Sequence, residues 1–198
     1  MSLTTRTPRS RERTHALAGR GPIVDRARQA LRHVATQFGE IVECDDTTVR
    51  ARSADGIEVV LSYAPGNYVF SRVYNLTIEA ELPSAGYPAG VTITHKHRSG
   101  PRFTQGKDFR SGQLSLAQLN AACAAQLDAI DVLQAGITGA GTTRTLRITP
   151  MGGSYVWVLI PPVFKATSFP PGEPDRILQL VRSVRGLAAA TVSPTHTT

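Results

Sequence analysis

The stretch that decides the fold runs from Val69 to Leu82, VFSRVYNLTIEAEL. It is the longest two-residue alternation in the chain. Phe70, Tyr74, Leu76, Ile78, Ala80 and Leu82 fall on one side; Ser71, Asn75, Thr77, Glu79 and Glu81 fall on the other. Successive side chains of a strand point to opposite faces, so this pattern writes a strand with one face in the core and one in water. Val91 to Arg98 alternates as well, and the short link Pro83 to Gly90 makes it the expected antiparallel neighbour. In that pairing His95 lies near Ile78 and His97 near Leu76.

Upstream, Gly21-Pro22 opens a helix expected to reach Phe38. Proline suits the first turn, where its missing N–H would be unpaired anyway. Val24, Ala27, Leu31, Val34 and Phe38 make one apolar stripe. Ile41–Cys44 and Thr47–Arg52 read as short strands with Asp45-Asp46 at the bend. Asp55-Gly56 is a hairpin signal, and the returning strand Ile57–Tyr63 places Ile57, Val59, Leu61 and Tyr63 on one face. Pro65-Gly66-Asn67 reads as a further turn.

Downstream, a helix is expected over Gln113–Gln134, capped by Ser111 or Ser115, with Leu116, Leu119, Cys123, Leu127, Ile130 and Leu133 as its buried stripe. Gly136, Gly139 and Gly141 break it. Thr142–Thr149 and Ser154–Ile160 read as strands. The second is apolar throughout and is expected to be covered on both faces or to lie in an interface. Pro161–Pro174 reads as an irregular loop, and Asp175–Ala190 as the last helix.

The order is α-β(n)-α-β-β-α, which predicts an α+β fold: a largely antiparallel twisted sheet packed with about three helices. The expected organisation is a disordered basic arm over residues 1–20, a single α+β domain over 21–190, and a disordered tail over 191–198. In outline this element order resembles that of secretion-chaperone-like domains, which pair three helices with a twisted antiparallel sheet. The resemblance covers Pro22 to Ala190, rests on order alone, and implies no binding residues. The extra early strands depart from it.

With 198 residues the chain is long enough for a substantial core. The net charge of +7 is unevenly spread. Arg6, Arg9, Arg11, Arg13 and Arg20 face only Glu12 in the first twenty residues. Glu40 to Glu81 carries eight carboxylates against Arg50, Arg52 and Arg72, and the sign turns basic again from Lys96 to Arg110. A nucleic-acid protein wants one continuous basic footprint, so contact with nucleic acid or an anionic membrane through residues 1–20 is the weakest reading. The many arginines and alanines point to the coding bias of a GC-rich genome, hence a bacterial source. No apolar leader precedes the first helix and no run approaches the ~18 apolar residues of a membrane span, so a cytoplasmic protein is expected. Cys44 and Cys123 are too few for a disulfide framework; a single bridge between them stays open, with a buried Cys123 thiol the preferred reading.

The best functional candidate is the basic stretch Arg98 to Gly112, read as a loop. It holds Arg98, Arg102, Lys107 and Arg110, with Phe103 and Phe109 between them. Guanidinium forks match carboxylate or phosphate, and aromatics anchor partners. His95 and His97 alternate beside it, but two ligands do not make a metal site. Glu79 and Glu81 read as a solvated face with an ion pair, facing Thr92, Thr94 and Lys96. Ser154 lacks the nucleophile-elbow pattern, and the glycines after residue 135 follow a helix, so they are no dinucleotide fingerprint. No catalytic set is complete, and no cofactor or metal is implied. The expected function is a binding or adaptor domain with a protein partner or a second copy. The alternative is an enzyme or carrier that holds an anionic small ligand between the sheet and residues 98–112.

Overall fold

A computed structural model describes residues 16–68, 71–83, 86–95, 100–139, 142–158 and 163–191. In chain order the elements are α1 (Pro22–Ala35), β1 (Glu40–Cys44), β2 (Thr48–Arg52), β3 (Glu58–Tyr68), β4 (Ser71–Leu82), β5 (Ala89–Thr94), β6 (Arg102–Arg110), α2 (Leu116–Asp128), β7 (Val132–Thr138), β8 (Arg144–Pro150), β9 (Tyr155–Val158), β10 (Val163–Ala166) and α3 (Glu173–Thr191). The strands form one antiparallel sheet in the order β1-β2-β3-β4-β8-β7-β5-β6; β9 pairs with β4, and β10 with β9. The fold is α+β, with the three helices expected.

β4 lies at the centre. On one side it pairs with β3 along its length, Leu61 opposite Ile78 and Tyr63 opposite Leu76. On the other side two strands share it: β8 takes Ile78 to Leu82, and β9 takes Ser71 to Tyr74. The fork between them is closed by the β8–β9 turn, through one side chain and one backbone carbonyl. The Leu76 N–H donates to Ser154 Oγ at 3.3 Å, and Tyr63 Oη donates to the Gly153 carbonyl at 3.0 Å. Tyr74, Leu76, Ile78, Ala80 and Leu82 are buried, as the alternation requires. On the outer face Asn75 and Glu79 are half-buried and Glu81 exposed; Thr77 is the exception, only 4% exposed.

The inner face is roofed by the helices. Leu31 and Val34 of α1, Leu119, Cys123 and Leu127 of α2, and Ile177, Leu180, Val181 and Val184 of α3 join the strands in one core. Burial pushes the Cys123 thiol up to about 12, and both cysteines are free. Ser115 caps α2 with a reciprocal Gln118 contact. Leu17 is also fully buried, although it falls in the stretch read as an arm. Residues 1–15 and 192–198 lie outside the described residues.

Several boundaries differ from the expectation, each for a physical reason. β5 does not pair with β4, whose far side is already filled by β8 and β9; it pairs with β6 and β7. Its link from β4 instead buries Tyr87, whose hydroxyl donates to the Val184 carbonyl at 2.7 Å. Pro65-Gly66-Asn67 is strand, not turn: β2 reaches β3 only as far as Ser62, so Pro65 sits where that side of β3 lacks a neighbour and its missing N–H costs no bond. The second helix stops at Asp128, and Val132–Thr138 is β7. Ile130 and Leu133 continue a helical period by coincidence, and a short apolar run does not choose between periods; Leu133 is 41% exposed. Val163–Ala166, read as loop, is β10. Only Tyr155 of β9 is fully buried, while Val156, Trp157 and Val158 are half-exposed.

Replacing Ser154 with alanine orphans the buried Leu76 N–H. Urea unfolding should show a loss of about 1–3 kcal/mol with an unchanged denaturant slope, together with faster hydrogen exchange at Leu76. A neutral substitution would show that the fork does not depend on this hydroxyl.

Candidate functional site

The stretch read as a basic loop is a strand with a large bulge. Between Ala89 and Val91 of β5 the chain advances two positions, while the facing β6 advances from Arg110 to Gln105. The surplus on β6, around Gly106, Lys107 and Asp108, is pushed out of the ladder. Such bulges re-aim side chains at sheet edges. Glycines make this one sterically feasible. A Cβ on Gly90, at φ +67°, would lie 2.2 Å from the Asp108 carbonyl oxygen, and one on Gly106 would lie 2.6 Å from the Gly90 carbonyl oxygen.

The candidate residues therefore separate. Phe103 is buried, fixed to α2 by its N–H donating to Asn120 Oδ1 at 2.7 Å and by Asn120 Nδ2 donating back to its carbonyl at 2.9 Å. Phe109 is half-buried against the core. Arg102 is tied to Asp128 Oδ1 at 3.2 Å and to the Pro101 carbonyl at 2.7 Å. Arg110 is exposed and sits opposite Ala89. Lys107 is exposed and lines a hollow on the outer face of the sheet. His95 lines a different concavity, with its Nε2 3.4 Å from the Leu133 carbonyl oxygen. His97 and Arg98 lie outside the described residues. The structure thus does not bring the described cations and His95 into one pocket. Glu79 faces neither Thr92 nor Thr94; its ion-pair partner is Arg147 of β8, at 2.6 Å.

Two concavities follow from this placement. The first is a cleft of about 490 Å³ where α2 turns into β7. Leu127, Ile130 and Val132 form its floor, and all three are buried. Leu133 and Met151 stand at its mouth, 41% and 57% exposed. His95, Asp128 and Asp131 supply its polar groups. The second is the hollow of about 260 Å³ over Gly136, lined by Lys107, Arg147, Gln134 and threonines of three strands. Among the described residues no group of three or more His, Cys, Asp or Glu is arranged to hold a metal.

Behind the cleft sits a buried carboxyl that sequence reading passed over. Glu173, the first residue of α3, is 1% exposed. Its Oε1 accepts the Asp131 N–H at 2.9 Å, and the Asp131 carbonyl accepts the Met151 N–H at 2.7 Å. The chain thereby links the start of α3 to two walls of the cleft. Glu173 Oε2 has no hydrogen-bond partner, and a Cβ on Gly152 would come within 3.0 Å of it. Burial raises the Glu173 carboxyl above the usual carboxylate range; the Asp131 N–H opposes the shift, the Asp131 charge adds to it, and Arg176 opposes it. The only signal in the sequence was Pro-Gly-Glu-Pro at a helix start, where an acidic residue is ordinarily solvated.

A raised carboxyl pKa contributes stability that is fully present below the unfolded value and is lost as pH rises through the folded value. Glu173→Gln keeps an acceptor for Asp131 and removes that loss. Thermal unfolding followed from pH 4 to 8 should show the variant gaining stability over the wild type as pH rises. Parallel curves would mean that the carboxyl is not held in its neutral form.

Residues 36–188 match the family described as Protein of unknown function (DUF3156), and the chain belongs to that family. No curated protein and no solved structure matches it.

Proposed function

We propose that this protein is a non-catalytic binding domain that engages protein partners, a second copy of the chain among them, through the apolar cleft between α2 and β7. The observation that carries this reading is the pairing of a buried apolar floor with two large apolar side chains held out into water at the mouth. A monomer gains nothing from exposing Leu133 and Met151 together, whereas an incoming apolar anchor would bury them along with the floor. Burial is worth ~25 cal/mol per Å², and interface energy concentrates where such anchors fill a pocket. Met151 adapts its shape to the guest because its side chain is unbranched. His95, Asp128 and Asp131 would fix orientation at the rim. A cytoplasmic location is part of the proposal; the exposed Cys44 is a free thiol, which a reducing compartment would keep unpaired.

A second apolar spot lies at β10, where Phe164 stacks on Trp157 with ring centroids 6.4 Å apart and Arg26 sits 4.5 Å over the Phe164 ring. That edge is short and carries Lys165, both of which discourage strand addition. The cleft is therefore the favoured surface.

Sedimentation velocity over about two decades of protein concentration reads the proposal. The wild type should shift to a larger species as concentration rises. Leu133→Asp and Met151→Asp should each weaken that association by roughly tenfold or more, while Val163→Asp leaves it unchanged. A strictly monomeric wild type, or association insensitive to both cleft variants, contradicts it.

A further inference from the structure

We infer that the end of the sheet built by β9, β10 and the adjoining halves of β3 and β4 is a docking surface for an anionic lipid bilayer, met at the level of the headgroups. β2 follows β3 only as far as Ser62, and β8 follows β4 only from Ile78. Beyond those points β3, β4, β9 and β10 run on without them. Tyr74 and Tyr155 are cross-strand partners and both are buried. One residue along, Val73 and Val156 are partners too, so they stand on the opposite, unroofed face. Val158 shares that face and lies opposite Val163 of β10, which is 44% exposed. Val73, Val156, Val158 and Val163 thus make one apolar patch, on a face whose other strands carry Arg–Glu rungs.

The other face of the same end is apolar as well. Trp157 and Phe164 are cross-strand partners with stacked rings, and Phe164 is 37% exposed. A protein groove packed on either face would leave the other in water. The headgroup layer of a bilayer takes in both faces of a sheet end at once, and tryptophan favours that depth. The contact stays at the interface, because the outer edge of β10 has no strand beside it among the described residues and unpaired backbone groups are costly in hydrocarbon.

Charge selects the lipid. Lys165 lies opposite Val156 on the valine face, and Arg26 sits 4.5 Å over the Phe164 ring on the other. Among the described residues neither forms an ion pair. The strands of this end supply no carboxylate to offset them: the chain has no Asp or Glu between Glu58 and Glu79, or between Asp131 and Glu173. Asp25, next to Arg26 on α1, pairs with Arg28 instead, and successive positions of a helix do not face each other. A lysine stem can lie along the valines while its ammonium reaches lipid phosphate, and an anionic surface attracts such cations at close range.

Trp157 is the only tryptophan in the chain, so its fluorescence reports on this surface alone. The full chain should cosediment with vesicles of equimolar phosphatidylglycerol and phosphatidylcholine, and its emission should shift to the blue as it does so. Partition into vesicles of phosphatidylcholine alone should be weaker, and added salt should release the protein from the anionic ones. Val163→Asp and Lys165→Glu should each weaken partition by about tenfold or more; both side chains are exposed, so the far-UV spectrum should not change. Absence of cosedimentation, equal partition into both kinds of vesicle, cosedimentation without a change at Trp157, or wild-type partition of both variants overturns the assignment. Val163→Asp leaves association through the cleft intact, so the two proposals fail separately.

Discussion

The structure depends on β4 having three partners. A central strand normally has one neighbour on each side. Here β8 and β9 divide one side between them, so the ladder must change hands at Asn75–Thr77. The handover leaves a buried backbone N–H with no strand opposite, and in a dry core such a group needs a partner. Ser154 supplies it, and Tyr63 fixes the same turn through Gly153. Tyr74 lies between Tyr63 and Tyr155, each ring pair 6.1 Å apart, which fills the fork with aromatic surface. Burial raises the Tyr63 hydroxyl well above the ordinary tyrosine range and raises Tyr155 as well, so both stay neutral in the core.

From this centre the two faces of the sheet acquire different chemistry. The inner face is apolar and covered by all three helices. The outer face remains in water and carries charge in rungs: Arg50 with Glu43 and Glu58, Arg52 with Glu58, and Arg147 with Glu79. Exposed pairs of this kind contribute little to stability; their effect is to fix the directions of the long side chains. Among the described residues one hollow of that face lies over the rungs themselves, lined by Arg50, Glu58, Glu79 and Glu81, and another lies beside Gly136. The apolar cleft arises by a different route, at the end of α2, where the chain reverses into β7 and the clamp through Glu173 and Asp131 sets the walls.

Much of the architecture was legible because burial writes itself into periodicity. The β3 and β4 alternation, the α1 stripe and the Asp55-Gly56 hairpin each report a local constraint, and each is present. Partner choice is not local. Nothing in Val91–Thr94 says that β4 is already occupied, so the adjacent-strand expectation paired the wrong neighbours. The Arg102–Arg110 strand was hidden because its bulge breaks the alternation between Phe103 and Phe109. The same bulge separates Lys107 from Arg102, and so divides the residues that looked like one cluster. Nothing in the sequence around Arg147 and Glu173 announced their partners, Glu79 and Asp131, which lie far away in the chain.

The most direct measurement is a set of inter-strand NOEs at Ile78 on isotope-labelled protein. The account predicts contacts from Ile78 to Leu61 on one side and to Ile148 on the other, and none to His95. Contacts between Ile78 and His95, with Ile148 absent, would show β4 and β5 as a hairpin and would contradict the central position of β4.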